Sequence, residues 1–95
     1  MAVKADEILR EMADLYKIKD ETYGSTYHQI GEVLMLIFPD GVELRTVKDI
    51  NRFHTLTMVL LKFLRYTNNF SGGGHPDSMR DMTVYCAMLE ELDRL

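Results

Sequence analysis

The sequence predicts an all-α fold, a compact four-helix bundle-like domain with short connections spanning residues 1–95, and three observations carry that prediction. Apolar residues recur at helical spacing through four long segments. Turn-forming residues interrupt the chain between those segments. Only Val42-Glu43-Leu44-Arg45 reads as extended or as a short strand, and no second segment offers it a pairing partner.

The first helix is predicted from about Lys4 to Glu21, with Ile8, Leu9, Met12, Leu15, Tyr16 and Ile18 near one stripe and Glu7, Glu11 and Asp14 opposite. Thr22-Tyr23-Gly24-Ser25 ends it: Gly24 suits the left-handed position after a helix, and Ser25 suits the next N-cap. The second helix covers Thr26 to Ile37, with Ile30, Val33, Leu34 and Ile37 aligned, and Phe38-Pro39-Asp40-Gly41 closes it with a turn. Thr46 is placed to cap the third helix, with Asp49 three residues on. That helix runs from about Val47 to Asn69. Ile50, Phe53, Thr57, Leu60, Leu61 and Leu64 share a broad face, so it is expected to be central. The fourth helix, Asp77 to Arg94, is expected to bury Met82, Tyr85, Cys86, Leu89 and Leu92.

Composition narrows the function classes. Hydrophobic residues make up 46% of the chain and charged residues 27%, as in globular proteins. A net charge of −4 argues against general nucleic-acid binding, which displaces counterions with a basic surface. None of the four predicted helices is basic enough for a helix-turn-helix reader. Cys86 has no second cysteine to pair with and reads as a small core residue. No apolar run approaches the roughly 18 residues that span a bilayer, and the first residues lack the basic start and apolar run of a signal peptide. A soluble, cytoplasmic protein that avoids membranes is expected.

The chemistry-bearing residues concentrate between Ser71 and Asp81. Gly72, Gly73 and Gly74 give a permissive backbone, and His75-Pro76-Asp77-Ser78 is a dense helix-entry signal. Asp77 and Asp81 lie four apart, so one helix face carries both carboxylates. Such a pair either shares a Mg²⁺ ion, which takes oxygen ligands and keeps waters, or divides into a helix cap and an exposed ion-pair partner. His75 either orients a phosphate or caps the helix. Lys62 and Arg65, three apart near the end of the third helix, either receive phosphate oxygens or snorkel from an apolar surface. Asp20, Tyr23 and Gly24 form a second polar break whose tyrosine can stack on a base. No His/Cys spacing suits zinc, and no P-loop or dinucleotide fingerprint is present.

Three pieces then stand in order: Asp20-x-x-Tyr23-Gly24-Ser25, Leu60-Leu61-Lys62-Phe63-Leu64-Arg65, and His75-x-Asp77-Ser78-x-x-Asp81-x-x-x-Tyr85. This order resembles a family of small phage- and prophage-encoded all-helical proteins of undefined function, distantly similar to the all-α NTP pyrophosphohydrolases of the MazG type. The resemblance covers about residues 8 to 92. It implies a nucleotide ligand and a Mg²⁺ site built from paired acidic motifs. The chain departs from that pattern: Glu32 has no acidic residue three positions away, and Asp77 and Asp81 are four apart instead of three.

Two expectations follow. The first is a phage-type accessory protein binding a nucleotide or other phosphorylated small molecule. Asp77, Asp81 and Asp20 would face metal or ribose, Lys62, Arg65 and His75 would face phosphate, and Tyr23, Gly24 and Ser78 would complete the site. If it is an enzyme, it is a metal-dependent nucleotide phosphohydrolase. The second is a non-enzymatic homo-oligomeric module that binds a host protein or a signalling nucleotide, as a counter-defence protein would, in the host cell cytoplasm.

Overall fold

Turn and cap chemistry sets where each helix begins and ends. The computed structural model describes residues 2–23 and 26–95. It is all-α, with α1 (Ala5–Tyr23), α2 (Thr26–Ile37), α3 (Val47–Asn68), a 3₁₀ turn (Phe70–Gly72) and α4 (Pro76–Asp93). Among the described residues there is no strand, and residues 42–45 are irregular. Gly24 and Ser25, expected as the C-terminal glycine of α1 and the N-cap of α2, lie outside the described residues.

The caps that are described follow the sequence closely. Phe38 to Gly41 closes on a Gly41 N–H to Phe38 carbonyl bond of 3.0 Å. The Thr46 hydroxyl accepts the Asp49 N–H at 3.0 Å, while the Asp49 carboxylate accepts from the Arg45 and Thr46 N–H groups, forming a capping box. Those bonds, led by the Arg45 N–H, hold the Asp49 carboxyl below its ordinary range. Between α3 and α4, Gly73 and Gly74 take positive φ of 99° and 82°. A Cβ on Gly74 would run into the Tyr66 ring, so this turn requires glycine twice over.

Helix α3 is central, as its broad apolar face predicts, packing extensively on α4 and also on α2. Three contacts fix α3 and α4 antiparallel. The Lys48 ammonium donates to the Leu95 carbonyl at 2.6 Å, Arg52 pairs with Asp93 at 2.6 Å, and Lys62 pairs with Asp81 at 3.1 Å. Gln29 to Asn68 (2.8 Å) and the Phe38–Phe53 ring pair do the same for α2 and α3. Packing of α1 on the rest is slighter.

Only Leu64, 8% exposed, is a buried apolar side chain among the described residues. Elsewhere on α3 and α4, Phe53, Leu60, Leu61, Met82, Tyr85 and Leu89 are half-buried. Cys86 corrects the sequence reading, since it is exposed. It lies roughly 70° round the helix from the line of Ser78, Met82, Tyr85 and Leu89, just beyond the edge that α3 covers. Tyr27 and His54 are also exposed. Among the described residues no helix is long and apolar enough to cross a membrane.

Candidate functional site

The residues singled out from sequence fall on two sides of the C-terminal half of α3. Arg65 and Lys62 stand one turn apart, and each faces a different neighbour.

On one side, Arg65 and Leu61 of α3, Thr26 and Tyr27 of α2, and Tyr16, Lys19 and Asp20 of α1 line a cleft of about 290 Å³. The structure thereby brings Asp20 and Arg65, 45 positions apart in the chain, to one concavity. The Tyr16 and Tyr27 hydroxyls share a hydrogen bond of 2.6 Å, with their rings edge-on at 6.4 Å between centroids. Tyr27 also lies against the His28 ring at 4.3 Å. A guanidinium, a carboxylate and two phenol rings around one cleft match what a phosphorylated aromatic ligand needs. The planar fork takes phosphate oxygens, and a ring face takes a base. Sequence reading of the polar break missed Tyr16, and its signal was available: on a helix Tyr16 lies one turn from Asp20.

The tyrosine pair has a measurable consequence. The hydrogen bond to Tyr27, then withdrawal from water and the nearby Asp20 carboxylate, push the Tyr16 phenol from 10.0 up to about 12. A raised pKa means that the bond's contribution is complete below pH 10 and is lost as pH rises through about 12. In a 295 nm titration, Tyr16 should ionise near pH 12, and Tyr27→Phe should return it toward the ordinary range. A titration with no phase near pH 12 that Tyr16→Phe removes would refute the pairing.

On the other side, Lys62 turns to α4 and pairs with Asp81 at 3.1 Å, its side chain 12% exposed against 50% for Asp81. This is the ion-pair alternative that the sequence offers for Asp81, with its partner supplied by α3. Asp77 lies one turn earlier on α4 and is exposed. Four residues advance a helix by about 400°, which rotates Asp77 about 40° further from α3 than Asp81. Among the described residues no cluster of three or more His, Cys, Asp or Glu side chains comes together. A Mg²⁺ ion held by Asp77 and Asp81 would keep several waters and lean on ligand phosphates.

His75 is the N-cap of α4, and its Nδ1 accepts the Ser78 N–H at 3.1 Å. Since Nδ1 is the acceptor, the Ser78 hydroxyl donates to it as well, at 2.6 Å. Ser78 is 1% exposed, so its visible work is to lock the cap. Asp77 is the second residue of α4, not its cap. Tyr23 ends α1, and Gly24 lies outside the described residues.

Two further grooves, of about 210 and 380 Å³, lie beneath residues 38–44 at the other end of α3. Phe38, Val42, Leu44 and Phe53 line both, and none of the candidate ligand or metal residues named from sequence borders either. No protein-family model matches the chain, and neither curated proteins nor solved structures give a significant match.

Proposed function

We propose that this protein binds a nucleotide or nucleotide-derived ligand, with Arg65 as the principal phosphate group and the Tyr16–Tyr27 pair beside the base. The observation that carries the reading is the shared cleft of Asp20 and Arg65 with two tyrosines and Lys19. A concavity of about 290 Å³ lies near the lower end of small-ligand sites. Lys62, one turn from Arg65, is a reserve cation whose charge Asp81 currently balances. Were a divalent ion bound with the ligand, Asp81 and Asp77 would be the carboxylates to hold it. The reading is one of binding: Asp77 and Asp81 alone form a sparse ligand set for metal-dependent hydrolysis, and no hydrolytic step is assigned.

The experiment is a calorimetric titration with a panel of ribo- and deoxynucleotides, each with and without Mg²⁺. At least one should give saturable heat, and Arg65→Ala should weaken it tenfold or more, since a hydrogen bond to a charged group contributes about 1.5–3 kcal/mol. No heat from any nucleotide would overturn the reading. A competing reading, a non-enzymatic module that binds a host protein, draws on the apolar residues exposed along α1. It expects indifference to nucleotides and retention of a host partner.

A further inference from the structure

We infer that a second copy of this chain covers the apolar face of α1, and that the protein works as a self-associated assembly. Ile8, Leu9, Met12 and Leu15 follow helical spacing on α1, and all four are exposed, Leu9 at 69%. The contacts described for α1 lie in its C-terminal half, where Tyr16 bonds Tyr27 and Tyr16, Lys19 and Asp20 border the cleft. Its N-terminal half carries the most apolar stretch of the helix into the open.

The amount of surface identifies the occupant. A folded 11.0 kDa chain is expected to expose about 5,600 Å², whereas this one exposes 7421 Å². Its radius of gyration is 16.7 Å where about 12 Å is expected for this length. The excess, about 1,800 Å² per chain, would give two copies an interface of about 3,600 Å², within the range of obligate homodimers. With Leu64 the one buried apolar side chain described, the single chain holds little core, and a partner made with it supplies the missing layer. A membrane surface is a poorer occupant. Six acidic residues against three basic ones on α1 would be repelled by anionic lipid. The inference stands apart from the nucleotide reading, but the two meet at the cleft. Its α1 wall is held in place by the assembly, so dilution should weaken any ligand that binds there.

Light scattering on an eluting sample, with no nucleotide present, tests it. At 100 μM the chain should show at least twice its 11.0 kDa mass. Leu9→Glu combined with Met12→Glu should reduce that to a single chain. Thermal unfolding offers a second measurement if the variant folds poorly, because the wild-type midpoint should rise with protein concentration. A wild-type mass of one chain at 100 μM with a concentration-independent midpoint would overturn the inference. So would a folded double variant that keeps the assembled mass. A solitary chain whose scattering gives a radius near 12 Å would show that α1 folds onto its own domain instead. These masses are read without nucleotide, so neither outcome of the calorimetry alters them.

Discussion

Leu64→Ala is expected to lower stability by about 3 kcal/mol, a large part of what a domain of this size possesses. Leu64 sits on α3, the helix that packs on both α2 and α4. Truncation there removes packing where no other buried apolar side chain is described, and the cavity left behind adds to the lost burial. On a domain of about 100 residues that loss should drop the thermal midpoint by roughly 10–20 °C. Phe63→Ala, one residue away and exposed, should shift it far less. Equal effects from the two would mean that the core lies elsewhere than on the α3 face described.

The second large effect belongs to the Lys62–Asp81 pair. Asp81→Ala leaves an ammonium 12% exposed with its partner gone, and should cost about 1–3 kcal/mol, at the lower end because Asp81 itself is half in water. Lys62→Met should be close to neutral, since an apolar side chain of similar length fills the same space without a charge to desolvate. The double variant should then recover most of what Asp81→Ala loses. Asp77→Ala should stay within about 0.5 kcal/mol, as an exposed surface change. Urea unfolding of the four proteins reads all these values. If Asp77→Ala proved as damaging as Asp81→Ala, the rotation that separates the two aspartates would be wrong.

That asymmetry also shows where sequence legibility ends. Helices were readable because their apolar periods are long and Pro39-Asp40-Gly41, Thr46 and the triple glycine punctuate them with specific turn chemistry. The central place of α3 was readable for the same reason, since a helix apolar over most of its circumference needs neighbours on several sides. Rotation about each axis was not. Periodicity says that Met82, Tyr85 and Leu89 share a face, but the edge of that face depends on where α3 lies. Cys86 and Asp77 thus fell outside, and Asp81 within reach of Lys62. Asp20 and Arg65 were each recognisable as polar residues in unusual places. Their meeting depends on how α1 leaves α2, which no local pattern encodes. The exposed stripe of α1 is a further instance: its apolar spacing predicted burial, and a single chain leaves it open.

The most direct measurement of the central claim is backbone amide chemical-shift mapping of the labelled protein with a Mg²⁺–nucleotide chosen by calorimetry. The account predicts shifts gathered on Tyr16, Asp20, Thr26, Tyr27, Leu61 and Arg65, extending to Lys62 and Asp81 across α3. Shifts confined to the groove of Phe38, Val42, Leu44 and Phe53, or none at saturating nucleotide, would contradict it.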